Sequence, residues 1–362
     1  MTAVTLPFVT DHRATLDGSL LHRIPVALLN REFPPHLVDE AVKHSRRGPQ
    51  RNRVLSPQLM TYFTMGMWLY PDRAYTDVAR HLADGLTWAR GRSDTENSWG
   101  AVTDGALSRA REKLGPGPLR VLFSGSTSSG RAAATAGGCW RGLRLASVDT
   151  FRLDMPKTAA NEAVFGGAPD RTLPSVHVTV LADSHSRRLL DATMEPLPPG
   201  AATGPGRHPV LGPDTLLLGD CRRTDFDFLT TAAAASTAVL CGAPADRDLP
   251  AAEHLRDGTY LSEVPGAYGE HVTVRVMRTG PHAADGPLCT TLLDPAEAPA
   301  PELVQHYTSR WRVGRLTHVL PTTGNSHYTA LRSRHPWGVE QEVWAMLCAY
   351  QALCGVIAAS SV

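Results

Sequence analysis

Two short apolar segments, each ending in an aspartate, constrain the fold of this chain more than any other feature. Residues 143–149 alternate apolar and polar side chains and end on Asp149, and residues 215–220 are mostly apolar and end on Asp220. Both patterns predict buried strands. If the two strands are neighbours, their carboxylates lie side by side and a divalent metal ion can bind there. A single Asp after a strand is usually only a turn former, so the prediction depends on the pair.

Composition narrows the setting without naming a partner. The chain has 36 Lys and Arg against 35 Asp and Glu in 362 residues, so net charge gives no argument for nucleic acid and only local basic clusters do. The six cysteines have neither C-x-x-C nor zinc-site spacing, which is typical of a reduced intracellular protein. We find no secretion signal and no apolar run approaching about 20 residues. The sequence therefore predicts a cytoplasmic protein with no membrane segment.

The first third of the chain differs from the rest in its pattern. Residues 1–123 have apolar spacings of three and four, which predict a helical N-terminal domain. One predicted helix in it, followed by a turn and a second helix, includes three cations: Arg109, Arg111 and Lys113. This arrangement is compatible with a DNA-contacting helix-turn-helix and equally with a solvent-exposed basic face. Residues 124–140 are rich in Ser, Gly and Ala, which predicts a flexible linker between domains.

Residues 141–362 predict a mixed α and β core. Three predicted strands form an antiparallel meander, the Asp220 strand follows, and a helix is predicted over residues 225–235. Residues from about 241 to 293 predict a further all-β region. A helix begins near Pro299, and the last predicted helix begins at Pro336, with apolar residues recurring every three and four positions. The fold class is therefore α+β.

The segments around the two aspartates are also familiar as motifs. Residues 148–156 and 161–166 resemble the first-aspartate motif of the insertion sequence 4 family of DDE transposases. Leu-Leu-Gly-Asp at 217–220, with Phe226, resembles the second-aspartate motif of that family. Each motif alone is short, and together they are specific.

Three further parts of the chain resemble the same family. Tyr307, Arg310 and Trp311 resemble the start of its C-terminal signature, in which Tyr, Arg, Glu and Lys follow at fixed spacing. Similar segments also occur at residues 35–39, 106–115 and 330–344. The resemblance covers nearly the whole chain, including the N-terminal domain.

The resemblance implies a fold and a chemistry. It implies an RNase H-like catalytic core with an inserted β subdomain at about residues 241–293. It also implies DNA binding with metal-dependent DNA cleavage and strand transfer. Asp149 and Asp220 are then the catalytic and metal-binding carboxylates for Mg²⁺ or Mn²⁺, ions that prefer oxygen ligands. The implied partner is DNA, bound at paired ends by a homodimer.

The chain departs from the family at the third carboxylate. Counting from Tyr307 and Arg310, the catalytic Glu of the family falls at Gly314, and the signature Lys falls at Pro321. We therefore expect the ancestral cleavage activity to be impaired or lost. His318 is one helical turn beyond Gly314, but Mg²⁺ favours oxygen over imidazole, which makes His318 a weak substitute.

The features expected to face DNA are better retained. Tyr307 and Arg310 are DNA-contacting positions in the family, and residues 303–339 contain no acidic residue. Such an Arg-rich segment beside a metal site favours a phosphate backbone. Three further arginines complete the predicted DNA-binding set: Arg312, Arg315 and Arg332.

Three functions remain open from the sequence. The first is a transposase with impaired catalysis. The second is a domesticated, transposase-derived protein that acts as a DNA-binding regulator. The third is an enzyme of different chemistry that reuses Asp149 and Asp220. Loss of the Glu and Lys favours the second over a fully active first, while retention of both aspartates keeps the third open.

Overall fold

The structure is a computed structural model that describes most of the chain in segments. The described residues are 18–45, 55–71, 73–89, 102–132, 139–166, 173–196, 212–220, 229, 232, 235–265, 271–278, 286–310, 312 and 331–359. Their helices are α1 (Gly18–Glu32), α2 (Pro35–Ser45), α3 (Pro57–Gly66), α4 (Tyr75–Ala89), α5 (Asp104–Leu114), α6 (Gly117–Ala132), α7 (Ala159–Phe165), α8 (Ala300–Ser309) and α9 (Pro336–Ala359). The N-terminal region is thus helical, as predicted.

Local sequence explains where several of these helices begin. Ser56 precedes α3, and its hydroxyl accepts a hydrogen bond from the backbone N–H of Leu59 at 3.2 Å. Thr103 caps α5 in the same way through the backbone N–H of Ala106, at 3.3 Å. Such caps satisfy donors that the first helical turn leaves unpaired.

The strands form one large mixed sheet. Their neighbour order is β4-β3-β2-β5-β6-β10-β9-β8-β7, with β1 paired to β2. The strands are β1 (Cys139–Trp140), β2 (Leu143–Asp154), β3 (Ser175–Asp183), β4 (Leu189–Pro196), β5 (Thr215–Asp220), β6 (Ala238–Gly242), β7 (Glu253–His254), β8 (Tyr260–Pro265), β9 (His271–Met277) and β10 (Leu288–Thr290). The predicted antiparallel meander is confirmed by the pairing of β2 with β3 and of β3 with β4.

The two aspartate-bearing strands are neighbours, which was only a condition of the sequence-based prediction. Strand β2 continues to Asp154, so the predicted end of this strand at Asp149 is wrong. Strand β5 pairs in parallel with β2, and β6 pairs in parallel with β5. Parallel strands need crossover connections, and their apolar residues are covered on both faces. Leu216, Leu217 and Leu218 are each 0% exposed, which accounts for the unbroken apolar run before Asp220.

The N-terminal helices do not have a separate hydrophobic core. One buried cluster contains side chains of α1–α6, of α9 and of the antiparallel strands β2–β4. Trp68 illustrates the connection, because its indole N–H donates to the backbone carbonyl of Glu342 in α9 at 2.8 Å. The predicted division between residues 1–123 and 141–362 therefore crosses a shared core.

The predicted linker at 124–140 is wrong at its start. Residues 124–132 continue α6, and residues 133–138 lie outside the described part of the chain. The small polar residues adapt to the helix by bonding back to it: the Ser126 hydroxyl donates to the carbonyl of Phe123 at 2.7 Å, and Thr127 donates to Ser124 at 2.9 Å. Packing of Leu122 and Phe123, which are 5% and 2% exposed, outweighs the low helix propensity of Ser and Gly.

The predicted β insertion is present as strands but is not confirmed as a subdomain. Strands β7 to β10 extend the edge of the same sheet through the pairing of β10 with β6. The predicted helix at 225–235 lies largely outside the described residues. Among the helices of the described residues, none is long and apolar enough to cross a membrane.

Candidate active site at the end of β5

The pairing register brings the two candidate catalytic aspartates to matching positions. Pairs from Arg144 with Thr215 to Ser147 with Leu218 keep one constant offset. Extended by two residues, the same offset places Asp149 opposite Asp220. Asp149 is partly buried, and its Oδ1 accepts the backbone N–H of Thr150 at 2.8 Å. The Asp220 side chain is 41% exposed, so this end of the sheet presents one carboxylate to solvent.

Asp220 is held by two residues at the C-terminal end of α8: Tyr307 in the last turn and Arg310 directly after the helix. Arg310 Nη2 donates to both carboxylate oxygens of Asp220, at 2.8 Å each. The hydroxyl of Tyr307 also donates to Oδ1 of Asp220. Charge-assisted hydrogen bonds of this kind are roughly twice as strong as neutral ones. Asp220 therefore accepts hydrogen bonds from one cation, Arg310, and from one neutral donor, the Tyr307 hydroxyl.

Arg310 is itself buried and fixed. Its side chain is 3% exposed, its Cζ lies 3.6 Å from the centroid of the Tyr307 ring, and Nη1 donates to the Tyr307 carbonyl at 2.6 Å. Contact with the ring face adds a cation–π attraction to the ion pair. In this conformation the guanidinium points inward, and an Arg310 contact with DNA requires the side chain to turn out.

Helix α8 positions these residues because of its apolar face. Leu303 and Tyr307, four residues apart, are 0% and 8% exposed and pack with Leu216, Leu218 and Leu240 of the sheet. The helix ends at Ser309, so Arg310 is where the chain leaves it with extended backbone. The ring of Tyr307 and the side chain of Arg310 thus approach Asp220 from the same helix end.

Gly242 is a site residue that sequence reasoning missed. It pairs with Asp220 across β5 and β6. A Cβ at position 242 would lie 2.0 Å from the Tyr307 hydroxyl oxygen and 3.0 Å from Asp220 Oδ1. Only glycine leaves room for the hydroxyl there. The one sequence signal was the glycine itself, which is the last residue of the apolar strand β6.

Electrostatics keep Tyr307 in its donor form. Burial, followed by the hydrogen bond and the negative charge of Asp220, raises the pKa of Tyr307 well above its usual value near 10. Arg310 and Arg312 act in the opposite direction on this pKa. The phenol therefore remains protonated and donates to Asp220 at physiological pH.

The other predicted DNA-binding residues are placed separately. Arg312 is exposed, two residues beyond Arg310. Arg332 is partly buried, and its Nη1 donates to the carbonyl of Arg73 at 3.2 Å. Arg315 lies outside the described residues, as do Trp311, Gly314, His318 and Pro321.

A buried polar network lies between α5 and α9. Arg111 Nη2 donates to Glu342 at 3.1 Å, and the two side chains are 5% and 2% exposed. Glu342 also accepts the Ser333 hydroxyl at 2.6 Å and the backbone N–H of Arg332 at 2.7 Å. Gln341 adds a further acceptor for Arg111 Nε at 3.0 Å. Arg111 is therefore a structural cation, which overturns its interpretation as part of an exposed basic face.

The described residues do not form a complete metal site. They include no group of three or more His, Cys, Asp or Glu side chains placed to hold one ion. Asp149 and Asp220 provide oxygen ligands, which suit Mg²⁺ and Mn²⁺. The donor chemistry fits a divalent cation, and the ion pair with Arg310 competes for one of the two carboxylates.

Comparison with known proteins shows similarity to transposases. Residues 23–124 match the family described as the insertion element 4 transposase N-terminal region. Over 348 residues the chain is 24% identical to transposase InsG for insertion sequence element IS4 of Escherichia coli (strain K12), covering 91% of this chain and 76% of that protein. These two matches support a transposase of the insertion sequence 4 type.

A solved structure shows the same type of fold. The chain is similar to the piggyBac transposase in the cryo-EM structure of its synaptic complex with hairpin DNA, with a TM-score of 0.51 and 13% identity. The match covers 93% of this chain and 76% of that one. At this identity the likeness concerns fold alone, a mixed sheet with a helical N-terminal region.

Proposed function

We propose that this chain is a DNA-binding protein of the insertion sequence 4 transposase type whose DNA cleavage and strand transfer are impaired or lost. One observation carries the proposal: the parallel pairing of β2 with β5, continued by two residues, brings Asp149 opposite Asp220, the last residue of β5. The order of the elements supports an RNase H-like core, since an antiparallel meander β2-β3-β4 precedes the carboxylate strand β5.

Asp149 and Asp220 are the residues that would hold Mg²⁺ or Mn²⁺. When bound, such ions activate an attacking oxygen and stabilise a leaving oxygen at a phosphodiester. The chain's own contribution is to fix the two carboxylates on a rigid sheet. Tyr307, Arg310 and Gly242 add a fixed orientation for Asp220.

Impairment is inferred from the third carboxylate position. Gly314 stands where the family has its catalytic Glu, and glycine has no side chain to bind an ion. With two protein carboxylates instead of three, one ion lacks a ligand.

DNA is the proposed partner. The exposed Arg312 and the acid-free segment 303–339 are suited to a phosphate backbone. The piggyBac transposase structure is a complex with hairpin DNA, and DNA is proposed for this chain from the arginines and the fold together. Action as a homodimer at paired DNA ends stays a prediction.

A DNA-binding regulator without catalysis is the second candidate. The ion pair between Arg310 and Asp220 favours it, because this pair stabilises the site in the absence of metal. An enzyme of different chemistry has no comparable support, since within the described residues no additional His, Cys, Asp or Glu joins the pair in a metal-binding group.

Nicking of supercoiled plasmid with Mn²⁺ tests the proposal, with three proteins compared: wild type, Asp149→Ala and Gly314→Glu. We expect no nicking by the first two and measurable nicking by Gly314→Glu. Wild-type nicking that disappears in Asp149→Ala refutes impaired catalysis. A gel-shift titration at two salt concentrations tests DNA binding separately, and binding that is absent at low salt refutes the whole proposal.

A further inference from the structure

The burial of Arg310 and Asp220 is unequal, and this asymmetry is informative. The Arg310 side chain is 3% exposed whereas that of Asp220 is 41% exposed. A single nitrogen, Nη2, is equidistant from both carboxylate oxygens at 2.8 Å. A cation held by both oxygens of a carboxylate occupies the same position. The guanidinium thus fills one of the places on Asp220 that a metal ion would use.

Electrostatic repulsion keeps the Arg310 guanidinium and a divalent ion from binding Asp220 at the same time. A divalent ion bound to Asp220 would lie within a few ångströms of a fixed positive charge. Unit charges about 4 Å apart repel measurably even in water, and the repulsion doubles for a divalent ion. Converted to affinity, such repulsion lowers binding by about tenfold or more.

Arg310 has an alternative partner if DNA binds. A guanidinium forms paired hydrogen bonds with phosphate as well as with carboxylate. Arg310 directly follows Ser309, the last residue of α8, and its own backbone is extended. Arg312 is exposed two residues further on and provides a first contact for an approaching phosphate.

We propose that Arg310 is a displaceable counter-ion of Asp220, which excludes a divalent cation from that carboxylate until a DNA phosphate takes over the guanidinium. The inference rests on the proposed function for the identity of the anion. Under this proposal a divalent ion binds Asp220 only after DNA has bound, and the DNA-free protein holds no ion there.

The consequence can be measured as metal binding, without any activity assay. Binding of Mn²⁺ to the DNA-free protein is measured by electron paramagnetic resonance for wild type, Arg310→Gln and Arg278→Gln. Arg278→Gln is the control, because it removes the same charge from an exposed position directly after β9, away from the aspartates. We expect Arg310→Gln to bind Mn²⁺ at least about tenfold more tightly than wild type, and Arg278→Gln to bind like wild type. Adding Asp220→Asn to Arg310→Gln should abolish the gain.

A second measurement uses the unmodified protein and so does not depend on the folding of a variant. Fe²⁺ with ascorbate and peroxide cuts a polypeptide next to the bound ion, and the cut sites are read by mass spectrometry. We expect wild type to be cut beside Asp149 and Asp220 only when duplex DNA is present. Arg310→Gln should be cut there without DNA.

The outcomes separate this inference from the proposed function. Cutting of DNA-free wild type at Asp220, or equal Mn²⁺ affinity of wild type and Arg310→Gln, overturns the counter-ion role. Wild type that binds DNA in a gel shift but remains uncut at Asp220 overturns displacement by phosphate. If wild type binds no DNA, the proposed function fails, and the comparison of Mn²⁺ affinities still decides whether Arg310 excludes the cation.

Discussion

Removing one member of the buried pair Arg111–Glu342 is expected to destabilise the whole protein. The pair is 5% and 2% exposed, and Glu342 also accepts bonds from Ser333 and from the backbone of Arg332. Substitution Glu342→Gln keeps the size of the side chain but leaves a buried guanidinium without its counter-charge. Breaking a buried pair in this way costs about 3–5 kcal/mol. That is a large fraction of the roughly 5–15 kcal/mol that stabilises a typical protein.

The double variant shows how much of this cost belongs to the pair. Arg111→Met should by itself destabilise by about 3–5 kcal/mol as well. Arg111→Met with Glu342→Leu removes both charges, so its cost should be smaller than the sum of the two single changes by about 2–3 kcal/mol. The cost that remains in the double variant comes from two hydrogen bonds: the Ser333 hydroxyl loses its acceptor Glu342, and Gln341 loses its donor Arg111. Each loss costs about 1–3 kcal/mol.

Urea unfolding followed by circular dichroism measures these free energies. Glu340→Gln is the matched control, because Glu340 is two residues away and its bridge to Arg120 has side chains 60% and 34% exposed at 3.5 Å. An exposed bridge contributes about 1 kcal/mol or less. If Glu342→Gln costs no more than Glu340→Gln, or if the double variant costs the full sum, the buried pair does not join α5 to α9 as described.

Three further predictions follow from the site and the sheet. Gly242→Ala should lower the free energy of unfolding by about 1–3 kcal/mol in urea, because the added Cβ displaces the Tyr307 hydroxyl. Gly125→Ala in α6 is the control and should be neutral or stabilising, because its added Cβ has no atom within 4 Å. Equal effects of the two substitutions would contradict the close approach at Gly242. Folding raises the pKa of Tyr307 above its value near 10 in the unfolded chain. The free energy of unfolding of wild type should therefore exceed that of Tyr307→Phe by a constant amount below about pH 10, and this difference should decrease as pH rises further. A difference that stays constant to about pH 11 contradicts the raised pKa. Burial, followed by the charge of Arg152, lowers the pKa of His177. An NMR titration should therefore give the His177 imidazole a midpoint below 6.5, and this midpoint should rise in Arg152→Gln. A wild-type midpoint at or above 6.5 contradicts the effect of burial.

The strands and their aspartates were accessible from the sequence because their signals are local. An apolar run that ends in Asp is readable within seven residues, and the neighbour relation of β2 and β5 followed from the assumption that the two carboxylates act together. The start of α5 was also readable, since Thr103 is a favoured capping residue.

The contacts that define the site were not accessible because they are non-local. Tyr307 and Arg310 are 87 and 90 residues from Asp220. Residues in a signature can face DNA or face inward, and spacing along the chain does not distinguish the two. Arg111 is a second example. A cation on an amphipathic helix is expected to face solvent, and its buried partner, the carboxylate of Glu342, is 231 residues away in the sequence.

The shared core also determines the order in which the chain can fold during synthesis. Helix α9 leaves the ribosome after every other described element, yet its side chains fill the same cluster as those of α1 to α6. The N-terminal helices must therefore wait, with apolar faces uncovered, for a segment more than 200 residues downstream. Contacts of such long separation slow folding. A copy of this gene cut short before α9 would accordingly yield an aggregation-prone chain and no folded N-terminal fragment.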